Sequence, residues 1–304
     1  MNWKNSDWKQ KYKCKKCWYC FVNLNIRKWI IRTNKIFLDW LNEWYSSRQI
    51  WLQKSKNKLD VLKYIREKLD NNLINQIDLV FENIFYVMID WIWISKEICL
   101  IIYYDYRNKK VVRFWFYDWE RYEYIKEDLK VLRDEFKYEI ICFVVDWGKQ
   151  IKKAIEEIYP NSKIQRCLTH IFRQIKTNIS NNPQSKCWKS LQKLITFNNF
   201  KNEELFIKKF KTWEEKYFNF LKERSFKWKK YWYTHRKLRA SRSHIRNAIP
   251  FMFHYLNDEN IKRSSNDLEW LNWLISEQIK RHRWLKIDRL ISFISLWIYE
   301  RNLR

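Results

Sequence analysis

The run Ile140-Ile141-Cys142-Phe143-Val144-Val145-Asp146 decides how this chain is read. Six apolar residues, β-branched at four positions and closed by an acid, are too short for a helix and too uniform for a half-exposed strand. They fit a strand buried on both faces, with a helix over Gln150 to Ile158 behind it. Upstream, Ile84 to Asp90 repeats the pattern and also ends in an acid. Glu97 to Asp105 and Val111 to Tyr117 are two further strand candidates, joined by a turn at Arg107-Asn108. Arg121 to Phe136 is helical, with Ile125, Leu129 and Leu132 on one face, and Lys163 to Cys167 is a short strand leading into a helix from His170. The order β-β-β-α-β-α-β-α over residues 80–175 predicts a mixed α/β core.

Around that core the chain changes character. Residues 176–262 are lysine- and aromatic-rich and read as all-helical, with a loop from Asn178 to Ser185. Residues 263–304 form a final helical part. Residues 31–75 predict short helices: Asn34 to Asn42, then Ser47 to Gln53 with Ser46 as N-cap, then Lys58 to Leu69. The last is expected to bury Leu59, Leu62, Ile65 and Leu69 and to expose Lys63, Arg66 and Lys68. That spacing fits a helix-turn-helix presenting Arg48, Lys63 and Arg66 to DNA, with an ordinary helical hairpin as the alternative. Within residues 1–30, Cys14-x-x-Cys17 followed by Cys20 has the shape of one zinc knuckle. A closed Zn²⁺ site needs four ligands and no upstream pair exists, so this is half a ribbon, from a start set too late or a remnant, or else incidental cysteines in a basic segment.

Lys and Arg total 61 against 34 Asp and Glu, a formal charge of +27 spread along the chain. A compact fold with that self-repulsion is relieved by a polyanion, of which nucleic acid is the usual one. No apolar run is long enough to span a membrane, and the seven cysteines form no disulfide framework, which predicts a soluble cytoplasmic protein, associated with the nucleoid. The balance of 1 glycine to 20 tryptophans is abnormal. Average usage of ~7 % would give roughly twenty glycines. Tryptophans follow Asp90, Asp146 and Glu269, and others stand in Glu43-Trp44-Tyr45-Ser46 and His282-Arg283-Trp284-Leu285, where turns favour glycine. The expectation is that UGA codons meaning glycine are rendered here as tryptophan; the alternative is a protein rich in genuine tryptophan.

Two strands ending in aspartate, Asp90 and Asp146, place two carboxylates where α/β sheets gather ligands. In so basic a chain they suit Mg²⁺ or Mn²⁺ acting on a phosphodiester, although solvated strand ends would look the same.

With glycine restored after each acid, the blocks become Ile89-Asp90-Gly, Val145-Asp146-Gly-Gly148-Lys149 with Gln165-Arg166-Cys167-Leu168-Thr169-His170, and Ser265-Asn266-Asp267-Leu268-Glu269-Gly followed by Lys280-Arg281-His282-Arg283. From about residue 34 onward the chain resembles the mutator-like insertion-sequence transposases. The resemblance implies an RNase H-like core split by the helical insertion, with Asp90, Asp146 and Glu269 as catalytic Mg²⁺ or Mn²⁺ ligands. It implies strand cleavage and strand transfer on terminal inverted repeats and target DNA by a homo-oligomer, with no membrane. Cys167 and His170 match the family's C-x-x-H, either as an architectural pair or as zinc ligands with two partners from elsewhere. Lys280, Arg281, His282 and Arg283 are expected at DNA phosphates, as are His235, Arg239, Arg242 and Arg246 of the insertion. An inactive DNA-binding derivative and an RNase H-like nuclease remain the alternatives.

Overall fold

The computed structural model describes residues 3–4, 10–13, 20–22, 37–41, 58–71, 85–146, 148–178, 184–228 and 230–303. The chain divides into two compact units, residues 1–77 with 277–304, and residues 78–276.

In the first unit, β1 (Trp3–Lys4), β2 (Gln10–Lys13) and β3 (Cys20–Val22) form an antiparallel meander in which Lys13 pairs with Cys20. Cys14 and Cys17 lie outside the described residues, so the knuckle is described only through its flanking strands. Helix α1 (37–41) buries Trp40 and Leu41. Helix α2 (Lys58–Asn71) buries Val61, Ile65 and Leu69, whereas Leu59 is exposed, contrary to expectation. The stripe runs at four-residue steps through Val61, and Leu59 is displaced from it by about 200° around the helix. The segment Ser47 to Gln53 and Arg48 fall outside the described residues, so the helix-turn-helix reading rests on α2 alone. The last helix of this unit ties back to α2 through Arg289, whose Nε and Nη2 donate to the two carboxylate oxygens of Asp70 at 2.6 and 2.7 Å.

The second unit is built on β4 (Tyr86–Trp93), β5 (Cys99–Asp105), β6 (Lys110–Tyr117), β7 (Cys142–Val145) and β8 (Lys163–Arg166). The spatial order is β6-β5-β4-β7-β8, antiparallel on the β4–β6 side and parallel from β4 through β7 to β8. The near-continuous apolar runs noted above belong to the central strands β5, β4 and β7, covered on both faces. Helix α3 (Tyr122–Lys130), continued by a π-helical turn to Glu135, and α4 (Lys149–Ile158) pack Ile125, Leu129, Leu132, Ile151 and Ile155 against the sheet. Beneath β5 and β6, the buried Asp128 accepts from Arg113 Nε at 2.6 Å and Tyr103 Oη at 3.1 Å.

Helix α5 (Leu168–Asn178) leads into the insertion, which contains α6 (Lys186–Leu194), α7 (Glu203–Lys216), α8 (Phe218–Lys222), α9 (Arg236–Ala248) and α10 (His254–Asn257). Its own core gathers Phe172, Leu191, Phe200, Phe206, Phe210, Trp213, Leu238 and Ile245. The insertion is not all-helical. Strands β9 (Arg224–Lys227) and β10 (Lys230–Tyr233) form an antiparallel hairpin. The aromatic, β-prone residues of that stretch override the helical reading, and the turn places Trp228 at φ 55°, a left-handed backbone that favours glycine. Helix α11 (Asn266–Arg281) follows the insertion and α12 (Ile287–Leu303) ends the described chain. Among the described residues no helix is long and apolar enough to cross a membrane.

Candidate active site

Parallel pairing of β4 and β7 sets Ile89 opposite Val145, so Asp90 and Asp146 leave neighbouring strands at the same level. Asp90 is fixed at both oxygens: Oδ1 accepts the Trp91 backbone N–H at 2.9 Å, and Oδ2 accepts Nδ2 of Asn272 at 2.8 Å. Asn272 lies one turn beyond Glu269 on the same face of α11, so this bond couples the helix that carries Glu269 to the strand that carries Asp90. On the other side His170, from α5, sits between the remaining acids. Its Nε2 is 3.6 Å from Asp146 Oδ2 and its Nδ1 is 3.7 Å from Glu269 Oε1. Arg173, one turn along α5, reaches Glu269 Oε2 at 2.9 Å. The structure therefore brings Asp90, Asp146, Glu269 and His170 together.

Burial and mutual charge set the electrostatics of Asp90, His170 and Cys167. Burial pushes the Asp90 carboxyl up to about 6, against the Trp91 N–H and the His170 charge, while Asp146 and Glu269 add to the rise. Burial alone would lower His170, but its hydrogen bond to Cys167 and the charges of Asp146 and Glu269 carry it up to about 9. The Cys167 thiol, which burial would raise, is instead lowered by hydrogen bonds from His170 and Ser265. Cys167 also joins two distant stretches of chain. Its Sγ accepts the Ser265 backbone N–H at 3.3 Å, and the next residue, Leu168, donates its N–H to the Arg263 carbonyl at 2.9 Å. Chain entering and leaving the insertion is clasped there.

Sequence reasoning missed Asn272, Glu120 and Arg166. Glu120, in the loop between β6 and α3, is pushed up to about 7, first by burial and then by Asp90 and Asp146. It packs where Gly148 leaves room: a Cβ there would sit 2.9 Å from Glu120 Oε1. No periodicity or motif marks an acid in an irregular loop. Arg166, fully buried at the end of β8, donates Nη2 to Gln174 Oε1 at 3.1 Å and contacts His244 Nε2 at 2.7 Å. Burial draws its pKa down to about 10 despite the Asp146 charge.

As a cation site, the carboxylate side fits Mg²⁺ or Mn²⁺. Glu269 Oε1, Glu120 Oε1 and Asn272 Oδ1 are buried oxygens without a hydrogen-bond partner, and hard oxygen donors are what these ions take. The atoms of Cys167, His170 and Glu269 also lie within 4.8 Å of one another. A thiol and an imidazole there suit a softer ion.

The proposed DNA contacts divide. Lys63 and Arg66 are exposed on α2, Lys63 lying 3.9 Å from Glu67. Lys280, Arg281 and Arg283 are exposed too, with Lys280 paired to Glu277 at 2.7 Å. His282 is not: it is 1 % exposed, with its ring 4.9 Å from that of Trp40 and 4.5 Å from that of Phe293. His282 follows the last residue of α11, where the chain turns, and its ring faces inward while its basic neighbours face solvent, so His282 is a core residue and not a phosphate ligand. Burial, helped by Arg281, draws it down to about 4. Its folded pKa lies below the unfolded value, so it favours folding above pH ~6.5 and ceases to as pH falls towards 4, a loss of up to about 3 kcal/mol. His282→Leu should shed that share of acid sensitivity in urea unfolding at pH 7 and pH 5; an identical pH response in both proteins would count against it.

His235 and Arg239 are also engaged internally. His235 stacks on Phe220 at 3.7 Å and bonds Glu223 at 2.8 Å, while Arg239 lies 3.5 Å over Tyr233 and donates to the Leu221 carbonyl at 3.0 Å. Arg242 and Arg246 converge on the buried Glu214, at 2.6 and 3.1 Å, and so hold α9 to α7.

No curated protein matches the chain. The family model described as Transposase, Mutator family, matches residues 98–286, a span that takes in Asp146, Cys167, His170 and Glu269 and begins just after Asp90. That match covers more than half of the sequence, and with it the chain belongs to the Mutator family of transposases.

Proposed function

We propose that this transposase cuts and joins DNA at a site formed by Asp90, Asp146 and Glu269, acting on the ends of its own element as an oligomer in the cytoplasm. The observation that carries the reading is the pairing of two strand-end aspartates in register, linked to the helix of Glu269 through Asn272 and His170. A five-stranded sheet with two antiparallel and two parallel pairings, interrupted before its last helix, supports an RNase H-like core. Bound at the three carboxylates, divalent ions would supply Lewis-acid activation of an attacking oxygen and charge stabilisation at the leaving one. The chain itself does the rest. Asn272 and the Trp91 N–H aim Asp90, the Cys167–His170 pair braces Asp146 against Glu269, and Arg173 offers a cation at the rim. Cys167 is occupied by the clasp to Ser265, which supports an architectural role for C-x-x-H.

The test is a labelled duplex carrying the element's end, incubated with Mg²⁺ or Mn²⁺. Nicked and joined products should form only with the ion, and Asp146→Ala should abolish them. Products from that variant would refute the assignment.

We infer further that several tryptophans stand in for glycine. Trp91 lies in a strand and Trp270 in a helix, where positive φ is not needed, so the turn argument does not apply to them. Trp228, at φ 55°, supports it. Reading the gene decides: UGG at codon 228 would sink the idea, and UGA there would carry it.

A further inference from the structure

The β9–β10 hairpin has an odd surface for a soluble protein. Phe226 and Tyr231 are cross-strand partners with rings 4.5 Å apart, and they are 58 % and 71 % exposed. Two positions along the same face, Arg224 and Tyr233 pair, with Arg224 5.1 Å from the Tyr233 ring and Arg239 3.5 Å from it. On the opposite face Lys227 and Lys230 stand directly across from each other. A like-charge cross-strand pair is unfavourable unless an anion lies nearby, and large exposed aromatics cost solvation unless something covers them. Residues 224–233 contain no Asp or Glu. The hairpin is nonetheless held firmly at its base by the His235–Glu223 and Arg239–Leu221 bonds and by Ser225 and Thr234 hydroxyls 2.7 Å apart.

We propose that this hairpin is a platform for unpaired DNA nucleotides, with bases stacking on Phe226 and Tyr231, phosphate held beside them by Arg224, and Lys227 and Lys230 on the other face adding to the local positive field. DNA as partner follows from family membership, and the proposal is independent of the metal-site reading. A duplex groove is the less fitting occupant. Readers of base edges are Arg, Asn, Gln and acidic side chains aimed at groove atoms, and the only neutral polar side chain among residues 224–230, Ser225, is turned onto Thr234. Rings flanked by cations are instead what sequence-tolerant single-strand sites use.

The experiment measures fluorescence anisotropy of the full chain, in EDTA, with a labelled single strand of about twenty nucleotides and with the blunt duplex of the same sequence. Phe226→Ala with Tyr231→Ala should weaken single-strand binding by about tenfold or more while the duplex changes less than about twofold. Phe226→Tyr with Tyr231→Phe should bind as wild type. If the alanine variant melts early, Phe226→Leu with Tyr231→Leu, apolar but unable to stack, makes the same comparison. Unchanged single-strand affinity overturns the proposal, and so does an equal loss on both DNAs, which would assign the hairpin to duplex docking. Because no divalent ion is present, failure here leaves the cleavage assay standing, and failure of that assay leaves this one standing.

Discussion

Glu269→Gln is expected to slow strand cleavage about a thousandfold while the protein folds and binds duplex DNA as before. The amide keeps the shape of the side chain and one acceptor for Arg173, so packing in the first turn of α11 survives. The charge does not. Glu269 Oε1 is buried, has no hydrogen-bond donor and lies 3.7 Å from His170 Nδ1, so it is the atom best placed for an ion and least able to do without its charge. Loss of the Arg173 pair is a small part of the effect, because Arg173 is mostly in solvent and exposed pairs contribute about 0–1 kcal/mol. The measurement is a single-turnover nicking rate at saturating Mn²⁺, beside a melting curve. A rate within tenfold of wild type would remove Glu269 from the ligand set.

Asp128→Ala is expected to cost about 3–5 kcal/mol of stability, read by urea unfolding. Asp128 and Arg113 are both buried, with side chains 0 % and 8 % exposed. Burial raises the Asp128 carboxyl even though Arg113, Tyr117 and Tyr103 all donate to it, which shows how strongly the interior resists the charge. Removing the acid strands the guanidinium under the sheet. Asp128→Leu combined with Arg113→Met should recover part of the loss, since the apolar pair has no charge to desolvate, while the Tyr103 and Tyr117 hydroxyls still lose their acceptor. If the single and double variants lose the same stability, the pair is not coupled.

The core was legible because its strands are buried on both faces. IICFVVD and the run ending at Asp90 announce buried strands closed by acids, whereas the register that sets those acids level comes from the β4–β7 pairing. Glu269 needed the family resemblance, since nothing in a helical segment distinguishes one acid from the next. Asn272 and Glu120 were hidden for a different reason. Their roles come from contacts with residues far away in sequence, to Asp90 for one and beside Gly148 for the other, and local pattern carries no trace of such contacts. His282 misled because a basic run suggests a solvated face, while the helix ends at Arg281 and the turn that follows points one member of the four inward. The hairpin was missed because aromatic and lysine residues alternate over too few positions to outweigh the helical surroundings.

The clasp at Cys167 and Ser265 has a consequence for how this architecture can vary. The two ends of the insertion are already fastened to each other, so the chain between them closes a loop whose entropic cost grows only with the logarithm of its length. Doubling it adds about 0.6 kcal/mol. Of the enclosed chain, α5 reaches the acids on either side through His170 and Arg173, whereas the hairpin is fastened only to neighbouring parts of the insertion by the bonds described above. A lineage is therefore free to lengthen, trim or exchange the part beyond α5 that carries the hairpin, and so to change which DNA it handles, while the clasp and α5 keep the spacing of Asp146 and Glu269.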